Sequence, residues 1–323
     1  MVDGAKIRAI FMGTPNYAIP ILSSLISKEI ELISVYTRPD KPRGRGNRAS
    51  VTPIKCYALK RNIPVFEPET LKNNPQIFAD IENQRPDLIV VAAYGLFLPN
   101  NILELPRLGA INLHPSLLPK YRGPSPIPSA ILNGDVTTGI SIIQLTKEMD
   151  GGPILAQEEA AIYADDTSAT LTIRLFKMGA KLLSDLLPLL SSGKIEPRPQ
   201  ELSRSTITSL LSRTNGEINW NCTADHIARQ VRAYDPWPGC FTQWNGKRLK
   251  IIAASRVEAD YPNAFLPGHV VSLGNKSIGI GTSNSILKIN KLQLEGKRPV
   301  EAAQFLQGHS HFIGSVLDPS YQN

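Results

Sequence analysis

Short apolar runs alternate with helix-like stretches through the N-terminal part of this chain. Ile7–Met12, Leu32–Tyr36, Leu88–Ala93, Ala110–Leu113 and Ile140–Leu145 are largely apolar runs of strand length. Between them, Tyr17–Ser27 and Pro53–Arg61 read as helices, the second opened by Thr52 as N-cap and Pro53 as first helical residue. Strands that are apolar on both faces must be covered on both faces. The pattern therefore predicts an α/β fold with a doubly wound, Rossmann-like parallel sheet. Leu171–Leu190 predicts a long amphipathic helix, with Asp165, Asp166 and Thr167 before it.

Beyond that helix the pattern changes. Ser191 to Arg204 holds prolines and few large apolar residues and reads as a linker. Ala224–Tyr234 predicts a short helix. Phe241–Trp244, Leu249–Ala253, Gly268–Leu273, Ile278–Gly281 and Ile286–Leu292 then follow as short β-like runs, divided by Asn-Gly, Pro-Gly and Gly-Asn turn signals. Short strands at this spacing suit a small barrel, a type that commonly binds oligonucleotides. The expected organisation is residues 1–190 as a first domain, 191–206 as linker and 207–323 as a second domain.

Composition narrows the function classes. The chain has 323 residues, enough for two cores, with 42% hydrophobic and 20% charged residues. Met1–Lys6 carries no apolar run after a basic start, and no apolar run of spanning length follows. A cytoplasmic protein without a membrane segment, and a monomer, is expected. Cys56, Cys222 and Cys240 are far apart and read as reduced packing residues. His226, His269, His309 and His311 read as surface or packing residues. No cluster has zinc spacing, so no metal is expected.

Charge adds a partner class. The net charge is +7, a weak reason by itself to expect nucleic acid. Its placement says more: Arg38, Lys41, Arg43, Arg45 and Arg48 are five basic residues against one acid, Asp40. This Gly/Arg-rich stretch suits phosphates, although most such runs are only solvated loops. Residues 207–323 carry 12 basic against 8 acidic residues, so the excess per residue is greater there.

The candidate chemistry lies at one strand end. Asn112 and His114 sit two apart at the end of the run beginning Gly109-Ala110-Ile111, so on a strand they share a face. An amide can donate to a developing oxyanion, an imidazole can move a proton, and a carboxylate such as Asp150 can hold and charge the imidazole. The first strand–helix turn, Gly13-Thr14-Pro15, lacks the glycines of a dinucleotide-binding loop, and Pro15 removes an N–H. A nicotinamide dehydrogenase is therefore disfavoured. An Asn-x-His pair alone leaves a structural role open.

The longer constellation does more. Asn112-Leu113-His114, Ser116-Leu117-Leu118-Pro119 and Met149-Asp150-Gly151-Gly152, in that order, resemble the folate-dependent formyltransferases. Phe11-Met12-Gly13-Thr14-Pro15, Tyr36-Thr37-Arg38-Pro39-Asp40, Ala92-Ala93-Tyr94-Gly95-Leu96-Phe97-Leu98-Pro99 and Asp235-Pro236-Trp237-Pro238-Gly239 are similar to segments of the subfamily that formylates methionyl-tRNA. The likeness runs from about residue 6 to about residue 310.

The resemblance implies an OB-like β-barrel at the C-terminus and formyl transfer from 10-formyltetrahydrofolate to the α-amino group of methionyl-initiator tRNA. It implies that Asn112, His114 and Asp150 are catalytic, with Asn112 donating to the oxyanion and His114 kept cationic by Asp150. Tyr94, Gly95 and Leu96, with Ser116, Leu117, Leu118, Pro119, Gly139 and Ile140, would line the folate pocket. Arg38, Lys41, Arg43, Arg45 and Arg48 would meet the tRNA acceptor end, and Lys247, Arg248 and Lys250 would add contacts from the barrel. One departure is Pro115, where many formyltransferases have Gly or Ala. The rivals are formyltransferases acting on a small amine such as an amino-sugar nucleotide or glycinamide ribonucleotide, formyl-folate hydrolases, and an RNA-binding protein with an inactive enzyme domain.

Overall fold

In the computed structural model, residues 6–27, 29–43, 48–257 and 266–317 are described. The chain forms two compact units. The first takes the described residues up to Pro126, then Thr137–Ala161 and Thr172–Thr208. The second takes Ile127–Val136, Ile162–Leu171 and the described residues from Ser209 onward.

The elements follow in the order β1 (Ile7–Gly13), α1 (Ile19–Ser24), β2 (Ile30–Tyr36), β3 (Lys41–Arg43), β4 (Arg48–Ser50), α2 (Pro53–Leu59), β5 (Val65–Phe66), α3 (Pro75–Asn83), β6 (Leu88–Ala92), α4 (Asn100–Leu103), β7 (Ala110–His114), α5 (Pro126–Asn133), β8 (Thr137–Gln144), β9 (Ile154–Ala161) and α6 (Ser168–Ser191). The first unit's sheet has the order β5-β2-β1-β6-β7-β8-β9. From β5 to β7 the neighbours are parallel, as the apolar runs predict; β8 and β9 extend the sheet antiparallel. β9 escaped sequence reading because its residues Gln157, Glu158 and Glu159 give it no apolar run.

Alternation along these buried strands builds two cores. Ala9 and Phe11 of β1, Val90 of β6 and Ile111 and Leu113 of β7 pack with Ile21 and Leu22 of α1, Ile54 of α2 and Phe176 and Leu183 of α6. On the opposite face Ile10, Met12, Ile89, Val91 and Ala110 pack with Ile81 of α3 and Ile102 of α4. Burying each of the larger side chains among these contributes roughly 1.5–3 kcal/mol. On β7 the core residues Ile111 and Leu113 fix the register, which turns Asn112 and His114 to the other face at the strand's carboxyl end. Thr52 caps α2 as expected, its hydroxyl accepting from the Lys55 N–H at 3.3 Å.

The second unit adds α7 (Ala224–Ala233), β10 (Cys240–Trp244), β11 (Lys247–Arg256), β12 (Val270–Ser272), β13 (Ile278–Gly281), β14 (Ile286–Leu294), β15 (Val300–Glu301) and α8 (Ala302–Gly308). Its antiparallel sheet runs β10-β11-β14-β13-β12, with β15 on β14. The β11–β14 ladder shifts register at Ile251/Ala253 and Ala253/Ala254, irregularities that bend and twist a strand pair. The result is the OB-like curled sheet expected of the C-terminal part. His309 and His311 pack with Trp244, Phe305 and Phe312 in an aromatic cluster.

Candidate active site

At the carboxyl end of β7 the structure brings Asn112, His114 and Asp150 together. Asp150 Oδ1 accepts from Asn112 Nδ2 at 3.4 Å, and Asp150 Oδ2 lies 3.5 Å from His114 Nδ1. His114 is nearly buried, and its Nε2 is 2.9 Å from the Tyr121 carbonyl oxygen. A carbonyl only accepts, so Nε2 carries a proton. With Nε2–H committed, it is Nδ1 that faces Asp150.

The loop carrying Asp150 is tightly specified. Asp150 itself has φ of 49°, a left-handed conformation that costs a side chain roughly 1–2 kcal/mol. Its Oδ2 accepts the Gly123 N–H at 2.8 Å. A Cβ on Gly152 would lie 1.8 Å from the Gln144 carbonyl oxygen, so only glycine lets the loop return onto β8. Gln200 Nε2 donates to the carbonyls of both Asp150 and Gly152, each at 2.7 Å. Gln200 falls in the stretch expected as a linker. That stretch also pairs Arg198 with Ile154, and the first unit continues to Thr208. Tyr121, Gly123 and Gln200 were missed from sequence because two of them act through backbone groups and the third lies about 50 residues beyond Asp150.

The Ser116–Pro119 segment follows directly. The Ser116 N–H donates to the His114 carbonyl at 2.9 Å, a tight turn whose central residue is Pro115. The missing N–H of Pro115 is not one this turn uses. Ser116 is fully buried, donating to the Lys120 carbonyl and accepting Ser141 Oγ on its own carbonyl. Leu118 packs with Ile143 and Ile154, while Leu117 is half-buried and Pro119 accepts from Thr206 N. Gly139 lies where a Cβ would meet the Glu158 carbonyl and Leu117, and the Ile140 side chain belongs to the core. Tyr94 is also a core residue, its carbonyl accepting from Thr14 Oγ1. Its buried hydroxyl has no partner among the described residues, and burial pushes that phenol well above its ordinary range. Gly95 is exposed with φ of 80°, and Leu96 packs at the edge of the core.

The basic segment is a β3–β4 hairpin pairing Lys41 with Ser50 and Arg43 with Arg48 along the backbone. Arg45 lies outside the described residues, as do the side chains of Lys41, Arg43 and Arg48. Arg38 is anchored at the near side, its N–H donating to Thr14 Oγ1 and its Nη1 to the Glu69 carbonyl. Asp40 closes the hairpin's neck. It accepts from Thr52 N at 3.1 Å and pairs with Lys55 Nζ at 2.8 Å, which also meets Glu67 at 2.7 Å. The Lys55 bond holds the Asp40 carboxyl below its ordinary value, and Asp40 and Glu67 raise Lys55.

In the second unit, Lys247, Arg248 and Lys250 are all exposed on β11, where Leu249 and Ile251 face the core. The Arg248 guanidinium stacks 4.2 Å over the Phe241 ring. With Lys250, Gln293, Leu294, Glu295 and Gly296 it lines a cavity of about 240 Å³.

Comparison with known proteins identifies the family. Residues 5–187 match the family described as formyl transferase, and residues 210–310 match formyl transferase, C-terminal domain. A methionyl-tRNA formyltransferase of Roseiflexus castenholzii is 44% identical over 94% of this chain and 96% of its own length. Among solved structures, an N-formyltransferase of Helicobacter canadensis in complex with folinic acid and dTDP-3-aminofucose has TM-score 0.65 and 20% identity over 88% of this chain and 98% of its own. HypX of Aquifex aeolicus in complex with tetrahydrofolic acid has TM-score 0.61 and 18% identity over 94% of this chain and 47% of its own. The trio at the end of β7, the two-unit architecture and both matched domains lead to one statement: this chain belongs to the formyl transferase family.

Proposed function

We propose that the chain transfers a formyl group from 10-formyltetrahydrofolate to the α-amino group of methionyl-initiator tRNA, in the cytoplasm and as a monomer. The observation that carries the chemistry is the convergence of Asn112, His114 and Asp150 at a single strand end. The amine attacks the formyl carbon, and the carbonyl π electrons move to oxygen. Asn112 Nδ2 carries two N–H groups; one is given to Asp150, and the second donates to that oxyanion. The Asp150–His114 pair takes the proton released by the attacking nitrogen and returns it to the departing folate nitrogen as the intermediate collapses to the amide. Because Nε2–H is tied to the Tyr121 carbonyl, this traffic runs through Nδ1.

The folate pocket is assigned to the Tyr94–Leu96 segment and the Ser116–Pro119 turn on either side of the trio, with β8 residues Gly139 and Ile140 behind. Since Ser116, Leu118, Ile140 and Tyr94 are buried, their part is to shape the backbone, while Gly95, Leu96 and Leu117 are the residues left to meet a ligand. The acceptor assignment rests on the near-full-length likeness to methionyl-tRNA formyltransferases, the basic hairpin and the basic face of β11. The alternative is a small amine. The deciding assay offers methionyl-initiator tRNA, free methionine, an amino-sugar nucleotide and glycinamide ribonucleotide side by side with the formyl donor. Formylation of the tRNA alone is expected; preferential formylation of either nucleotide would overturn the acceptor assignment.

A further inference from the structure

Behind Asp150 lies a polar network that the reaction itself does not touch. Gln200 donates to the carbonyls of Asp150 and Gly152 and accepts from Arg122 Nε at 3.0 Å. Arg122 Nη1 pairs with Glu148 Oε1 at 2.6 Å. Arg122 is only 5% exposed, and its backbone is bracketed by Thr206 and Thr208, its N–H donating to one and its carbonyl accepting from the other. Its Nη2 is buried without a partner among the described residues. Burying an unpaired guanidinium N–H is destabilising, so the placement calls for a reason.

The reason lies in the amide of Gln200. An amide side chain can be turned end for end at little cost in shape, and only its partners decide its orientation. Arg122 has no acceptor atom, so Gln200 must present Oε1 to it. That choice forces both Gln200 N–H groups toward the two loop carbonyls. In the flipped orientation donor would face donor on one side and acceptor would face acceptors on the other. Arg122 thus sets the direction of an amide that ties down both ends of the Asp150–Gly152 turn, and the turn carries Asp150 at φ of 49°.

We infer that Gln200 is a positioning residue for the Asp150 carboxylate, and that Arg122 acts through Gln200 by fixing its amide orientation. This rests on the formyl-transfer reading, in which Asp150 works with His114. Without the two bonds from Gln200 the left-handed Asp150 relaxes, and the carboxylate leaves Gly123 N–H, Asn112 and His114 together. Misplacement by about 1 Å costs up to about 10²-fold in rate.

The test substitutes Gln200→Glu, which keeps size and an acceptor for Arg122 but has no N–H for the carbonyls, and Arg122→Lys, which keeps the charge beside Glu148. Two measurements are made on the intact chain. In the first, formyl transfer to methionyl-tRNA is followed in a cycle with Asp150→Asn. Gln200→Glu is expected to lower kcat by about 10–10²-fold with KM for tRNA nearly unchanged, and to add almost nothing in the Asp150→Asn background. Arg122→Lys is expected to lower kcat less, in the same direction. The second measurement needs no substrate. Hydrogen exchange at Gly123 N–H, which donates to Asp150, is expected to quicken in Gln200→Glu while the β7–β8 ladder amides stay protected. Should wild type fail to formylate the tRNA, the acceptor reading falls and exchange at Gly123 still decides the positioning role. Unchanged Gly123 exchange, or a kcat loss that adds in full to Asp150→Asn, overturns the inference.

Discussion

The end of β7 and the outer face of β11 are both polar surfaces, the first at the end of a buried strand and the second on a largely exposed one, and they are built by opposite rules. At β7, Asn112, His114 and Asp150 are largely withdrawn from solvent and each is held by a named partner; His114 has one on each ring nitrogen. On β11, Lys247, Arg248 and Lys250 stand exposed, with Arg248 stacked on Phe241. Stabilising a transition state requires dipoles fixed before the charge develops, in a site that excludes water. Attracting a polyanion requires charge at the surface, where reach matters more than fixed geometry. Single residues should therefore be decisive at the first surface and nearly interchangeable at the second.

The sharpest way to break that contrast is at β7. Asn112→Ala and His114→Ala are each expected to lower kcat by about 10²–10³-fold while thermal unfolding stays close to wild type, since neither side chain belongs to the sheet core. Turnover within a few fold of wild type in either variant would mean that the trio is not the catalytic centre. Next in size is the hairpin. Arg43→Ala combined with Arg45→Ala is expected to weaken use of methionyl-tRNA by about 10-fold, and to flatten its salt dependence by about 0.9 in log–log slope for each phosphate no longer neutralised. KM for the formyl donor should not move. Equal kcat/KM for tRNA in variant and wild type would reduce the hairpin to a solvated surface feature.

Smaller again is the effect expected at the neck of the hairpin. Lys55→Met leaves Asp40 and Glu67 facing each other and is expected to weaken tRNA use by about fivefold, a partly exposed network being worth little more. The pH dependence follows from the two shifts. Asp40 is lowered from 3.8, so its contribution is present above that value and is lost as pH falls through the lower folded value. Lys55 is raised from 10.5, so its contribution is present below 10.5 and is lost as pH rises above it. The difference in tRNA affinity between wild type and Lys55→Met should therefore be constant between about pH 5 and pH 10. A difference that varies across the neutral range would show another group at the neck.

These regions also differ in how much of them the amino acids announce. The parallel strands are legible because they are apolar on both faces, and Asn112 and His114 are legible because they interrupt that pattern at a strand end. β9 is not, since Gln157, Glu158 and Glu159 break its apolar pattern. Gln200 is not, because a glutamine between Pro199 and Glu201 reads as loop until folding places it against Asp150. Tyr121 and Gly123 contribute a carbonyl and an N–H, backbone groups that leave no mark in a sequence. Asp40 looks like the odd acid in a basic run, and only the Lys55 and Thr52 bonds reveal it as the staple at the hairpin's base.

The smallest expected effect lies on β11, where the cavity beside Arg248 holds opposing charges. Glu295 Oε2 accepts the Arg248 backbone N–H at 3.1 Å, and Glu295 lines the same cavity as Arg248 and Lys250. A phosphate approaching the two cations also meets that carboxylate. Stacking on Phe241 restrains the Arg248 guanidinium, so less side-chain freedom remains to be lost on binding than for Lys250. Arg248→Ala is therefore expected to weaken tRNA binding more than Lys250→Ala, each by about two- to fourfold and each flattening the salt slope by about 0.9 for a duplex phosphate. Glu295→Gln should act in the opposite sense, tightening binding by about twofold, because the amide still accepts the backbone N–H but no longer repels the phosphate. Binding of methionyl-tRNA by the three variants across a salt series checks all of this at once. A loss in Glu295→Gln as large as in Arg248→Ala would mean that Glu295 serves the fold of the β11 edge, and that phosphates do not visit this cavity.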